Sequence, residues 1–331
     1  ENFVKTYGTL MAVTKNKDNE YYITSRTQVK DSDFQEVEGI NPLVFTKYFS
    51  NNFIFVELSD IKEDVPNLNE HFVGVNQLEE VEKAEKLLYK DIEKVSPFNS
   101  SFYKESVIKH FANKPYNWNE IEFEYYKEGT KLTEYVQPTN IDLKDTILPK
   151  DKKLIEICKE RVAKGEKVWI YNDFITNGKY TTGESVEERI ARVLNDAGLK
   201  VYVLKSSVRT IERREIVNIN RNKYDVFISN AKLVGTGINM QWCTNYIFYS
   251  PTYHVNTVRQ ASRRGLRANS TVPSNIYHLY FKQGIEEEII ERYKLKLAES
   301  EAVQAKFVDI GVKRTASSLG AKIRKELANN F

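Results

Sequence analysis

The segment Asp225-Val226-Phe227-Ile228-Ser229-Asn230-Ala231-Lys232-Leu233-Val234-Gly235-Thr236-Gly237-Ile238-Asn239 opens on a short apolar run and passes directly into a loop with two closely spaced glycines. A run of that length, rich in β-branched and aromatic residues, reads as a strand buried on both faces. The glycines let backbone N–H groups come close to a ligand. Alone, Gly-Thr-Gly is weak evidence, because many tight turns carry such glycines.

The surroundings give it weight. Val168-Trp169-Ile170-Tyr171 and Val201-Tyr202-Val203-Leu204 repeat the apolar pattern upstream, and Tyr246-Ile247-Phe248-Tyr249 and residues 276–281 repeat it downstream. Between them fall amphipathic stretches: LIEICKERVAKG from Leu154, VEERIARVLNDAG closed by Gly198, and residues 210–221, 255–265 and 285–299. Such alternation predicts an α/β fold with a mostly parallel sheet and helices on both faces. Ligands of such sheets sit beyond the carboxyl ends of the strands, where the loops around Asn230, Ser250 and Arg267 are expected. Residues 1–147 read differently, as a mixed and largely helical region with a helix-like stretch at 77–95 and loops near 96–101 and 137–140.

At 331 residues and 41% hydrophobic content, the chain can bury one large core or two smaller ones. Its two cysteines, Cys158 and Cys243, lack CxxC spacing, so neither a disulfide framework nor a zinc site is indicated and both are expected to be buried thiols. No apolar stretch is long enough for a membrane span and no signal segment opens the chain, which points to a soluble, intracellular, cytoplasmic protein. A first residue of Glu1 suggests a piece of something longer.

Net charge is +3, yet no acidic residue stands between Asp225 and Glu286, a window holding Lys232, Arg259, Arg263, Arg264, Arg267 and Lys282. The rest of the chain therefore carries −3. A contiguous basic field of this kind suits phosphates. Within it, VRQASRRGLR (residues 258–267) places Gln260, Arg264 and Arg267 on one stripe of a helical wheel, at about 0°, 40° and −20°. Val258, Ala261, Ser262 and Gly265 fall opposite, free to pack. Two guanidiniums and an amide with no nearby carboxylate suit a phosphate whose charge grows during transfer. A solvated basic helix is the bland alternative, and context has to decide between them.

That context is specific. The stretch resembles the last motifs of Swi/Snf-like superfamily 2 ATPases, which read S-T-K-A-G-G-L-G-I-N-L, then Y-D-P-x-W-N-P, then Q-A-x-x-R-x-x-R. The matching residues are Ser229, Lys232, Gly235, Gly237, Ile238 and Asn239, then Tyr249, Pro251 and Tyr253, then Gln260, Ala261, Arg264 and Arg267. Val168 to Phe174 resembles the family's motif IV strand. The likeness spans residues 148–296, with weaker similarity at Phe3, Tyr7-Gly8, Phe55 to Leu58 and Val65-Pro66. Departures are Arg263 for Gly, Tyr253 for Trp and Thr236 for Leu.

The resemblance implies a RecA-like lobe of the P-loop NTPase type at 148–306, preceded by the end of a first lobe, a connector and a helical insertion at 1–147, and followed by a basic tail at 307–331. It implies Arg267, Arg264 and Gln260 as catalytic residues, Gly235, Gly237 and Asn239 at the nucleotide, and Ser229, Asn230, Lys232 and Tyr253 at a nucleic-acid backbone. ATP and Mg2+ would be bound mainly by the first lobe of the same protein. Double-stranded DNA is the expected partner, with RNA an open alternative.

No GxxxxGK[ST] cradle occurs here, and no acidic metal-binding strand. Asn177-Gly178-Lys179-Tyr180 lacks the first glycine and the hydroxyl and reads as a surface turn. The chain is therefore expected not to hydrolyse ATP alone. A catalytically inert nucleic-acid-binding module that keeps only the helicase C-terminal fold is the competing reading. A Rossmann-type enzyme is disfavoured because no GxGxxG opens the first strand–helix turn. The four histidines lack metal or triad spacing. Trp169 reads as core, whereas Trp242 and Tyr253 are candidates either for packing or for stacking on bases.

Overall fold

The computed structural model describes residues 9–15, 21–23, 34–37 and 66–303, apart from 96–103, 128–129, 144–145, 175–176, 235–237 and 267–269. It divides into two compact units, one formed by residues 1–57 and 294–331 and the other by residues 58–293. In the first, β1 (Thr9–Lys15) pairs antiparallel with β2 (Tyr21–Ile23) and with β3 (Phe34–Val37).

The second unit is built on a six-stranded sheet of β4 (Leu68–Val75), β7 (Val168–Tyr171), β8 (Val201–Val203), β9 (Val226–Ser229), β10 (Asn245–Phe248) and β11 (Ser274–Phe281). Its order is β4-β11-β10-β7-β9-β8 and every pairing is parallel. Parallel strands need crossovers, here carried by α3 (Pro149–Ala163), α4 (Val186–Asp196), α5 (Thr210–Asn220) and α6 (Val255–Ser262), while α7 (Ile285–Val303) follows the last strand. Before them stand α1 (Glu79–Val95), a π turn (Lys104–Ile108) leading into α2 (Lys109–Asn113), and the antiparallel hairpin of β5 (Ile121–Lys127) and β6 (Thr130–Val136).

The central strands are buried along their whole length, so alternate residues face two different cores. One face is largely aliphatic: Val168, Ile170, Val226, Ile228 and Ile247 pack on Leu154, Ile157 and Cys158 of α3 and on Ile190 and Leu194 of α4. Its opposite face is aromatic, with Trp169 stacked on Phe227 at 5.1 Å, Tyr171 beside Phe248 at 4.9 Å, and His278 between Phe72 and Phe248. α4 opens with a reciprocal Ser185–Glu188 capping box, a device that contributes about 1 kcal/mol.

The mostly parallel sheet expected from the alternation is present, with helices on both faces. Two features differ from expectation. The sheet takes in β4, from well before residue 148, as its edge strand beside β11. The N-terminal region, expected to be largely helical, is strand-rich in its described parts, with β1 to β6 against two helices and a π turn. The likenesses at Phe3, Tyr7-Gly8, Phe55 to Leu58 and Val65, and the tail at 307–331, lie outside the described residues.

Connectivity locates the crevice. The chain leaves β7 through α4 toward β8 and β9, but leaves β10 through α6 toward β11, so the connections from these neighbours diverge. Divergence of this kind opens a crevice at the carboxyl ends of β7 and β10.

Candidate functional site

At that crevice, Asp173 N donates to Ser250 Oγ at 3.2 Å and Ser250 Oγ donates to Asn172 Oδ1 at 2.8 Å, tying the loops after β7 and β10 together. Asn230 follows β9, and its Oδ1 accepts from Lys232 N at 2.9 Å, an Asx-type turn that starts the 3₁₀ segment Ala231–Val234. Lys232 is exposed, and this segment packs against α6. Tyr253 is half-buried beside the exposed His254, ring centroids 4.6 Å apart. His254 is the N-cap residue of α6.

Ser229 departs from expectation. It is fully buried, and its Oγ accepts from the Trp169 indole at 2.9 Å, so the hydroxyl faces the aromatic core rather than the surface. Trp242 is half-buried and packs edge-on to Phe227 at 5.1 Å, which is the packing alternative for that residue. The Asn177-Gly178-Lys179-Tyr180 stretch is a turn docked on the hairpin, with Lys179 Nζ donating to Glu122 Oε2 at 2.8 Å and Tyr180 OH to Glu122 O at 3.1 Å.

α6 buries Val255, Val258, Ala261 and Ser262 and exposes Gln260. It ends at Ser262, three residues short of the expected Gly265. A Cβ on Gly265 would stand 2.5 Å from Cys243 O and 2.5 Å from the Tyr246 hydroxyl, so the chain turns in where only glycine fits. Ser262 Oγ also donates to Val258 O at 2.7 Å, a back-bond that favours bending at a helix end.

The last carbonyls of a helix lack intrahelical donors. Here Arg264 Nε donates to Gln260 O at 3.1 Å and Tyr171 OH donates to Ala261 O at 3.1 Å. Arg264 thus sits in a turn, not on the helical stripe of the wheel, yet its guanidinium is joined to Gln260 by that bond. A cation at this end also meets the negative pole of the helix. Burial raises the Tyr171 phenol well above its ordinary pKa, Cys243 adds to the effect and the Arg264 cation opposes it, so Tyr171 remains a protonated donor.

The arginine turn also lies away from the crevice. α6 starts beside the carboxyl end of β10 and returns toward the amino ends, where Gly265 meets Cys243, two residues before β10 begins. Asn239 lies in the connection from β9 to β10. It is exposed, with its amide bonded to Gln241 at 3.1 Å. The expected residues therefore separate: Asn230, Lys232 and Tyr253 stand at the carboxyl ends, Gln260 and Arg264 at the far end of α6, and Asn239 in the chain that leads into β10. Arg267, Gly235 and Gly237 lie outside the described residues.

Sequence reasoning missed a buried polar network. Arg189 donates to Asp151 Oδ2 (2.9 Å), Asn113 O (2.6 Å) and the Tyr249 hydroxyl (3.0 Å), and Tyr249 OH donates to Asp151 Oδ1 at 2.8 Å. Lys150 pairs with Glu286 at 2.8 Å, both wholly buried. The signal was available, because Arg189 falls on the apolar stripe of α4 with Val186, Ile190 and Val193. Also unforeseen is a groove of about 360 Å³ at the carboxyl ends of β4 and β11, lined by Lys152, Lys153, Lys282 and Glu156.

Both cysteines are free and buried, and burial pushes the Cys243 thiol up to about 12. No helix among the described residues is long and apolar enough to cross a membrane. No group of three or more His, Cys, Asp or Glu among them is placed to hold a metal ion.

Residues 149–269 match the family of helicase conserved C-terminal domains. The human chromatin-remodeling ATPase INO80 is 35% identical over 95 residues, 28% of this chain and 6% of that protein. The ATP-dependent helicase FUN30 of Saccharomyces cerevisiae is 30% identical over 139 residues, 41% of this chain and 12% of that protein. The alignments thus span only a small part of these relatives. A crystal structure of the C-terminal part of the Fun30 ATPase domain superposes with a TM-score of 0.52 at 18% identity, covering 70% of this chain and 90% of that one. The chain carries a helicase conserved C-terminal domain, built as a RecA-like lobe and homologous to those of Swi/Snf-like superfamily 2 ATPases.

Proposed function

We propose that this chain is the second motor lobe of an ATP-dependent DNA helicase or translocase acting inside the cell. In this reading Arg267 is the main arginine finger, Arg264 its partner, and Gln260 orients water or phosphate. The observation that carries the reading is the capped end of α6, where Arg264 and the exposed Gln260 are bonded in a stretch, 226–285, that contains no carboxylate. Such a set suits the oxygens of a phosphate anion rather than a metal ion. Gly235, Gly237 and Asn239 would touch the nucleotide, while the first lobe would hold most of the ATP and its Mg2+.

Asn230, Lys232 and Tyr253 are assigned to the backbone of double-stranded DNA, and Lys152, Lys153 and Lys282 extend that basic rim. Ser229 is left out because its hydroxyl is buried. Phosphate contacts position a protein without specifying sequence, as stepping along DNA requires. Separating the two residue groups on two surfaces lets closure on nucleotide act on the grip on DNA.

The test is DNA-stimulated ATP hydrolysis by the full-length protein. Arg267→Ala is expected to lower turnover on the order of 10³-fold. Wild-type turnover in that variant would sink the assignment, and a full-length protein that binds duplex DNA but hydrolyses no ATP would be the inert module instead.

A further inference from the structure

We propose that Tyr171 and Ser270 are positioning residues for Arg264 of the arginine pair, their hydroxyls holding the carbonyls of Ala261 and Gly265 on either side of it. The inference rests on the reading of those arginines given under Proposed function. It adds residues outside α6 and the turn after it, Tyr171 being at the end of β7.

Tyr171 is the last residue of β7, at the middle of the sheet, and is 2% exposed. Its hydroxyl reaches across the aromatic face to Ala261 O, one of the carbonyls that α6 leaves without an internal donor. Beside it, the Tyr246 ring from the neighbouring β10 lies parallel, with 6.3 Å between centroids and 5° between planes. Tyr246 OH donates to Cys243 O at 2.8 Å, and these two oxygens are the ones that leave no room for a Cβ at Gly265. The two phenols thus form a floor, one holding the last turn of α6 and the other setting how closely the following turn approaches.

On the far side, Ser270 is buried and its Oγ donates to Gly265 O at 2.9 Å. Residues 265 and 270 are held together by that bond, whatever path the chain takes between them. Arg264 leaves this frame with its Nε already committed to Gln260 O, which fixes the plane of its guanidinium. A guanidinium with a fixed plane presents a directed fork, and misplacing such a group by about 1 Å costs on the order of 100-fold in rate.

Tyr171→Phe removes one oxygen and keeps the ring; Ser270→Ala removes one oxygen, and Ser270→Thr restores it. Two measurements separate positioning from stability. In this chain, hydrogen exchange of the backbone amides of residues 264–266 should accelerate roughly tenfold in Tyr171→Phe and Ser270→Ala but not in Ser270→Thr, while the thermal midpoint stays within a few degrees. In the full-length protein, kcat for ATP with duplex DNA should fall roughly 10- to 100-fold in the first two variants, with KM for ATP changed less than about twofold and activity retained in Ser270→Thr.

Unchanged exchange and unchanged kcat, alongside a crippled Arg267→Ala, would overturn this inference and leave the motor reading intact. A fall in kcat matched by an equal loss of folded protein would overturn it as well. Wild-type turnover in Arg267→Ala would instead remove the reading on which it rests.

Discussion

Gly265 shows where residue-level reasoning from sequence stops. A helical wheel places Arg264 and Gln260 on one stripe, and the structure does join them, but through a side chain that caps the helix end rather than through a continued helix. The wheel has no term for Cys243 O and the Tyr246 hydroxyl, which stop the helix from outside. Gly265→Ala should therefore destabilise the protein by roughly 1–3 kcal/mol in urea unfolding, the usual cost of forcing atoms into a packed site. The obstructing Cys243 oxygen belongs to the backbone and cannot swing away. A variant with wild-type stability would mean that the turn relaxes freely, and the close approach would then place no constraint on the arginines.

At the scale of elements, legibility follows burial. Fully buried runs such as VWIY and VFIS were recognisable because nothing polar interrupts them. β4 was not, because Leu68-Asn69-Glu70-His71 carries a carboxylate inward to meet His278 at 2.6 Å and Tyr293 at 2.7 Å. α4 hides its function in the same way through Arg189, whose partners lie 38 and more residues away in sequence. Arg189→Ala strips the partner from a buried Asp151 and should cost about 3–5 kcal/mol, measured by denaturant unfolding. A loss under 1 kcal/mol would show that solvent reaches Asp151 instead.

The packing of α1 against the start of α7 makes a pH-dependent joint between elements. Burial, reinforced by Glu286, raises Glu85 to about 7, although Ile285 N donates to its carboxylate. A carboxyl whose folded pKa lies above its unfolded value binds more protons when folded, so stability falls as pH rises from about 4.5 to 7. Glu85→Gln keeps an acceptor for Ile285 N and removes the charge. At pH 8 it should be more stable than wild type by up to about 3 kcal/mol, a gain that vanishes near pH 4.5. His110 works in the opposite direction: burial, then Lys114 and Arg189, lower it to about 4, so its contribution is lost as pH falls below about 6.5. An equal Glu85→Gln gain at pH 5 and pH 8 would rule out the titration.

For the whole molecule, the deciding quantity is the field of one segment rather than net charge. A total of +3 on 331 residues predicts nothing, but residues 226–285 carry only positive charges, and the fold sets Lys232 just after β9 and Arg264 just past the end of α6. Lys232 sits at the carboxyl-end rim and Arg264 at the end of α6, so the two should respond to different phosphates. DNA binding that neutralises phosphates releases counterions, and each contact adds about 0.9 to the slope of log affinity against log salt. Lys232→Gln should therefore weaken duplex binding to a similar degree for any sequence and lower that slope by about 1 in a salt titration. Arg264→Gln should leave the slope near its wild-type value while reducing ATP turnover, since under the proposed function Arg264 meets the nucleotide rather than the DNA. An equal drop in slope for both variants would mean that the two surfaces are one, with the end of α6 itself lying on the DNA.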